Sequence, residues 1–569
     1  MEKEWKICTP HQDKVQELAS QLNIHPLIIQ VLFNRGIEEK DSIHKFLYPS
    51  LKDLHSPFHM KDMDKAVDRV IKAILNREGI VIYGDYDADG VTSTALLLDF
   101  LQGLGGNVSY YIPNRLEEGY GLNRKALDQI ARSGTRLVIT VDCGITNIQE
   151  IEYARGLGMD TIITDHHETP VDLPPALAIL NPKQPGCTFP FKELAGVGVV
   201  FNLIIALRAR LREMGFWKDI PVPNLKNYLD IVALGTIADM VPLVDENRIF
   251  VKIGLTLLTK GSRPGIAALK NVSGLEMKEI EASDVGFKLA PRINAGGRIG
   301  VANDGVELLI AKDRDTARPF AERLNQNNHQ RQRMEEQILS DVLRHIDMDS
   351  SLLQRKSLVL ASSKWHPGVI GIVASRLVEQ YLRPVILISL IEGIGKGSCR
   401  SIKEFNLYEG LKSCRHLLEG FGGHKYAAGM TLLEGNITEF YRFFEATVRE
   451  SLPDRELYPK MEIDSMVNLD DLTETFTEHL CLLPPFGIAN PEPIFCTSGL
   501  NITDIQVVGE KHLKFKAFQG TTPFEVIGFN MGHYYSSLNS SIQIAFVPQV
   551  NMWQEKRSLR LKLKDIKIN

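Results

Sequence analysis

Between residues 79 and 164, short apolar runs alternate with helix-length stretches, and this alternation restricts the chain to few folds. Gly79-Ile-Val-Ile-Tyr83 precedes a predicted helix at Thr92 to Leu101, then Asn107-Val-Ser-Tyr-Tyr-Ile-Pro113. A helix around Arg124 to Arg132, the strand Arg136 to Val141, a helix around Ile148 to Gly156 and the strand Thr161 to Thr164 complete the pattern. Strands joined through helices imply a parallel sheet with right-handed crossovers. Ligands of such sheets bind beyond the carboxyl ends of the strands.

The residues at those ends are Asp85-Tyr-Asp87-Ala-Asp89-Gly90, Val141-Asp142-Cys143-Gly144 and Asp165-His166-His167. Buried like charges repel strongly, so gathering them in one cleft makes sense only with neutralising cations. The first run also opens like an EF-hand loop. Its twelfth position, however, is Leu96 instead of a bidentate Glu, and a strand precedes it. A dinucleotide site fails too, because aspartates stand where a glycine fingerprint is needed. Alone, Asp142 reads as a turn or helix cap, and His166 or His167 as a core histidine. Their joint placement changes the reading. Asp239 adds a carboxylate inside the apolar run Ala233-Leu-Gly-Thr-Ile-Ala-Asp239-Met-Val-Pro242, where an unpaired charge is costly. Mixed carboxylate and imidazole ligands suit Mn²⁺ better than Mg²⁺. The chemistry favours a dinuclear metal hydrolase.

At 569 residues the chain has room for roughly three or four domains. Residues 1–55 read as a helical lead-in, 56–255 as the α/β catalytic domain and 256–348 as a helical connector. The connector ends in a long polar helix, Asp313 to Ile346. Residues 349–455 form a second, smaller α/β unit, and 456–569 an all-β domain expected to be an OB-type barrel. The net charge of −5 hides local asymmetry: residues 456–510 carry ten acidic groups against one lysine, and 511–569 nine basic against three acidic. Seven scattered cysteines without a Cys-x-x-Cys pair read as reduced thiols, with neither disulfides nor structural zinc. The polar N-terminus and the lack of a membrane-length apolar run lead us to expect a cytoplasmic protein without membrane association.

The strand-end runs, together with Gly235-Thr-Ile-Ala-Asp239, resemble the motifs of the DHH phosphoesterases. Gly422-Gly-His424 with Ala427-Ala-Gly429 resembles the glycine-rich motif of the associated DHHA1 domain. Three further runs are Pro291-Arg292-Ile-Asn294-Ala-Gly-Gly-Arg298, Trp365-His-Pro-Gly-Val-Ile-Gly371 and Pro485-Phe-Gly-Ile-Ala-Asn490-Pro-Glu-Pro493. They narrow the resemblance to the RecJ family, bacterial exonucleases that degrade single-stranded DNA from the 5′ end. The resemblance implies a DHH domain joined by the long helix to a DHHA1 domain, with the OB-type barrel beyond. It implies that Asp85, Asp87 and Asp142 hold one Mn²⁺, and Asp89, Asp142, His166 and Asp239 a second, with Asp142 bridging and Mg²⁺ as an alternative ion. His167 is then left for phosphate contact and transition-state stabilisation, and Asp142 and His167 are the catalytic pair.

From residue types alone, Gly397-Ser398-Cys-Arg400-Ser401 is equally a phosphate cradle or a strand-end turn. The resemblance favours a pocket for a 5′-terminal phosphate built from Ser398, Arg400, Arg115 and Arg298, with His424 and its glycines approaching the strand. Near the C-terminus Arg560, Lys562 and Lys564 alternate with Leu559, Leu561 and Leu563. That pattern is either charged protection of an edge strand or a track for single-stranded DNA, with Trp553, Phe515 and Phe518 as stacking candidates. Implied partners are single-stranded DNA, single-stranded-DNA-binding protein and a helicase. Two rival readings are a DHH phosphodiesterase for cyclic dinucleotides or short oligonucleotides, and a non-catalytic replication scaffold.

Overall fold

The computed structural model describes residues 3–9, 11–115, 117–218, 221–452, 459–538, 542–553 and 556–568. The catalytic sheet contains β1 (Gly79–Gly84), β2 (Val108–Tyr111), β3 (Thr135–Val141), β4 (Asp160–Thr164) and β5 (Ala178–Leu180). Every pairing is parallel, as the alternation predicts, and the order is β2-β1-β3-β4-β5. Side chains along these strands point alternately into two cores. Ile80, Ile82, Leu137, Ile139 and Ile162 join one, with Val91, Leu97 and Leu101 of the helix Ala88–Gly103. Val81, Tyr83, Val138 and Ile163 join the other, with Leu127 and Ile151 from the remaining crossover helices. Both faces are thus covered, which explains strands apolar throughout.

A 35-residue helix, Arg314–Met348, leaves this domain. The Asp313 side chain caps it by accepting from the Thr316 amide at 2.8 Å. The second α/β unit follows. Its five-stranded sheet places Ile394–Arg400 between Val385–Ile391 and Ala427–Leu433, with Gly420–Gly423 on one edge and Leu358–Ser362 on the other.

The C-terminal domain is a seven-stranded, largely antiparallel sheet. The sheet is consistent with the expected OB-type domain, although among the described residues its two outermost strands, Ser465–Met466 and Asn501–Val508, do not pair to close a barrel. Lys556–Ile568 is no edge strand: it pairs with Ile542–Trp553 on one side and Phe524–Gly528 on the other. The lead-in also departs from expectation. It begins with a strand, Glu4–Ile7, parallel to Lys460–Ile463, and its helices bury Ile28, Ile29 and Leu32 in one core with Phe476, Phe495 and Phe546. The two ends of the described chain form a single body.

Candidate metal centre

Three strand ends and one helix end converge on a buried cluster. Asp85 leaves β1, and Asp87 caps the helix Ala88–Gly103 by accepting from the Asp89 and Gly90 amides at 2.9 and 3.0 Å. Gly90 must be glycine here, since a Cβ would lie 2.5 Å from the Asp85 carbonyl oxygen. Asp89 reaches across to the helix Gly196–Glu213, taking the Gly196 and Val197 amides at 2.6 and 2.9 Å. Asp142 follows β3 with a left-handed φ of 61°, an uncommon and costly conformation for a non-glycine residue. A Cβ on Gly196 would come within 2.7 Å of its carboxylate, so that helix also depends on a glycine.

His166 follows β4. Its Nε2 lies 3.2 Å from Asp142 Oδ1 and 3.5 Å from Asp239 Oδ2. Asp239 is the C-cap of the helix Leu229–Ala238, the negative end of the helix dipole, where a bare carboxylate is disfavoured. Donor atoms of Asp85, Asp87 and Asp142 lie within 4.8 Å of one another, as do those of Asp89, His166 and Asp239, and those of Asp142, His166 and His167. All six predicted ligands therefore meet.

The electrostatics match this geometry. Burial and the neighbouring carboxylates push Asp85, Asp142 and Asp239 well above the usual carboxylate range, and burial with Asp87 pushes Asp89 up to about 7. Burial, then the charge of His167, lowers His166 to about 3, leaving the neutral imidazole a metal requires. Asp85 Oδ1, Asp142 Oδ1, His166 Nε2 and Asp239 Oδ2 are buried without a hydrogen-bond partner. Orphaned acceptors at this density are costly unless cations take them up. The donor set fits a divalent ion with mixed oxygen and nitrogen ligands.

Asp165 has a role that residue types did not reveal. Its Oδ1 accepts the amides of His166 and His167 at 2.8 and 3.1 Å and lies 2.7 Å from His167 Nδ1, while Oδ2 accepts the Ile145 amide at 3.0 Å. Burial alone would raise this carboxyl, but the hydrogen bond and charge of His167 bring it to about 2. Burial opposes the His167 charge, yet the same pairing lifts that imidazole to about 9. The signal was position: a carboxylate directly before the histidine pair. Tyr120, whose hydroxyl lies 3.4 Å from His167 Nδ1, carried no such signal.

Beside the cluster lies a cavity of about 750 Å³ lined by Arg115, Tyr120, Ser398, Arg400, Gly422 and Gly423 among others. Arg400 donates to Ser398 Oγ at 3.3 Å and to the Cys399 carbonyl at 2.8 Å. The helix Ile370–Tyr381 begins against this pair, and a Cβ on Gly371 would lie 2.7 Å from Ser398 Oγ. Arg115 sits over the Tyr86 ring at 5.1 Å. Arg298 joins the domains by donating to the Gly368 carbonyl at 3.2 Å, and burial plus the charges of Arg115 and Arg331 lower it to about 10. Asn294, one helical turn before Arg298, holds the Ala88 amide at 2.8 Å and ties this helix to the aspartate loop. His424 is solvent-exposed and not among the cavity's lining residues.

The C-terminal stripe does not protect a sheet edge. Arg560 pairs with Glu525, and Lys562 and Lys564 approach Glu492 at 3.8 and 3.4 Å. These charges lie on an interior strand, and their carboxylate partners come from a neighbouring strand and from a loop. Phe515 is fully buried and Phe518 half-buried, and the Trp553 side chain lies outside the described residues.

A parallel sheet with a carboxylate–imidazole cluster at its carboxyl edge, followed by a glycine-rich α/β unit, defines a DHH phosphoesterase. Accordingly, the profile of the DHH family N-terminal domain matches residues 79–236, that of the DHHA1 domain 354–450, and that of the RecJ OB domain 463–565. The chain is 40% identical over 571 residues to the single-stranded-DNA-specific exonuclease RecJ of Bacillus subtilis, covering 99% of this chain and 71% of that protein. It is 35% identical to RecJ of Escherichia coli, covering 97% of each. The crystal structure of RecJ from Thermus thermophilus with Mn²⁺ matches with a TM-score of 0.84 at 31% identity, over 100% of this chain and 80% of that one. A Mg²⁺ complex from the same organism matches with a TM-score of 0.77 at 30% identity, over 100% of this chain and 78% of that one. The chain belongs to the RecJ family and is a divalent-metal enzyme. No described helix is long and apolar enough to cross a membrane.

Proposed function

We propose that this chain is a single-strand-specific 5′→3′ DNA exonuclease releasing nucleoside 5′-monophosphates in recombination and repair. The observation that carries it is the orphaned ligand atoms of Asp85, Asp142, His166 and Asp239 beside an arginine-lined cavity. In this reading Asp85, Asp87 and Asp142 would hold one ion and Asp89, Asp142, His166 and Asp239 the other, with Asp142 serving both. When bound, a pair of such ions supplies an activated water and neutralises charge on the scissile phosphate. The protein does the rest. Asp165 fixes His167 so that its ring faces the phosphate, where it would stabilise charge gathering on the non-bridging oxygens. Arg400, Ser398 and Arg115 grip the 5′-terminal phosphate, and Arg298 spans the gap between cavity and ligand cluster. His424 is assigned to the strand that passes the glycine-rich edge. A helicase would supply single strands, and single-stranded-DNA-binding protein would be a partner.

The test is digestion of end-labelled single- and double-stranded DNA with Mn²⁺, Mg²⁺ or chelator. Mononucleotides released from the 5′ end of single strands, and only with metal, are the expected products. Metal-independent cleavage, or a dinucleotide substrate preferred over long strands, would sink the reading.

A further inference from the structure

Five residues link Asp239 to the helix Asp245–Lys260, and this connector is held from an unexpected direction. Met240, directly after the ligand, takes a left-handed φ of 60°. The Leu243 amide donates to the carbonyl of Ile488 at 2.8 Å, a residue of the C-terminal domain. Gly487 lies against the Leu243 side chain so closely that a Cβ would come within 2.7 Å of Cδ1. Leu243 is buried, and Val244 packs against both the catalytic and the C-terminal cores.

The loop that makes this grip, Pro484 to Asn490, is itself tightly fixed. Asn490 is fully buried and donates to the Leu483 and Pro485 carbonyls at 2.9 and 2.7 Å. Its side-chain oxygen accepts from Arg35 of the N-terminal helices. From the catalytic side Arg248, 1% exposed, gives its donors to the carbonyls of Phe46 (2.7 Å), Leu482 (3.0 Å), Pro484 (3.1 Å) and Pro485 (3.4 Å). Lys252 adds a bond to the Pro484 carbonyl at 3.0 Å. A buried guanidinium is costly unless its donors are placed, and here they are placed on carbonyls from both ends of the chain. The loop is thereby fastened to the helix that follows the connector.

We propose that the Pro484–Asn490 loop is a positioning element for Asp239: by holding Leu243 it sets the carboxylate against Asp89 and His166. The proposal rests on the reading of Asp239 as a metal ligand. Altering residues that orient a ligand from behind commonly costs about 10- to 100-fold in metal affinity or activity.

The experiment is a calorimetric Mn²⁺ titration of the full chain without DNA. Gly487→Ala should weaken Mn²⁺ binding by about tenfold, while exonuclease rate at saturating Mn²⁺ stays near that of the unaltered protein. Adding Leu243→Ala reopens the space and should restore most of the affinity. Arg248→Lys, which keeps the charge and loses the fork, should weaken binding in the same direction and serves if Gly487→Ala does not fold. Asp239→Asn is measured in parallel. If it weakens binding but folded Gly487→Ala and Arg248→Lys do not, the positioning role is wrong. If Asp239→Asn also leaves binding unchanged, the ligand reading fails, and the positioning role with it.

Discussion

The aspartate cluster beyond β1 and β3 and the basic stripe of Lys556–Ile568 look alike in one dimension: like charges at short spacing beside apolar residues. In three dimensions they are opposites. Around Asp142 four ligand atoms are buried with no partner, and the nearest groups are mostly further carboxylates. Around Arg560, Lys562 and Lys564, Glu525 and Glu492 arrive from other strands and loops. Charge clustering therefore marks a site only where the fold withholds counter-charges. The first region depends on ions from outside, whereas in the second each cation has a carboxylate within reach.

This contrast can be broken most directly at Asp142. Asp142→Asn should lower exonuclease rate by about three orders of magnitude or more, while the metal-free protein melts higher because one buried like charge is gone. A near-normal Mn²⁺-dependent rate would refute the bridging role. Chelation of the unaltered protein comes next. Carboxyls whose folded pKa lies above the unfolded value of about 4 contribute stability below that pH and lose it as pH rises through the folded value. For Asp89 that window ends at about 7, so the chelated protein should melt lower at pH 8 than at pH 5, with Mn²⁺ abolishing the difference. A melting temperature flat with pH would mean that the cluster does not carry this charge.

Arg400→Ala sharpens the comparison between gripping and neutralised cations. It should cost about tenfold or more on 5′-phosphorylated ends and less on 5′-hydroxyl ends, and equal losses would argue against the cradle. The smallest effect is expected at the stripe. Lys562→Gln should change single-strand affinity by less than about threefold, whereas Glu525→Gln frees cations and should steepen the salt dependence by about one unit. A large loss with Lys562→Gln would restore the DNA-track reading.

Much of the catalytic centre was legible because a parallel sheet gathers its strand ends, so Asp85, Asp142 and His166 could be placed from their positions at those ends. Asp239 was legible because a charge inside an apolar run demands a reason. The oxygen pairs of Asp89 were not, since their partners are backbone amides of Gly196 and Val197 on a helix more than a hundred residues away. The ion pairs of the stripe were not legible for a related reason: Glu492 and Glu525 reach it through strand register and a loop, which local spacing does not encode. Glu4–Ile7 gave no strand signal because its burial is slight and its partner lies near residue 460.

The joint core of the two chain ends has a consequence for biogenesis. During synthesis Ile28, Ile29 and Leu32 emerge hundreds of residues before Phe495 and Phe546 exist to cover them. The catalytic sheet can close in the interval, but the earliest helices must wait with their apolar faces open. A fragment ending at residue 452 should accordingly be cut by protease first within its opening fifty residues, ahead of any site in the catalytic sheet.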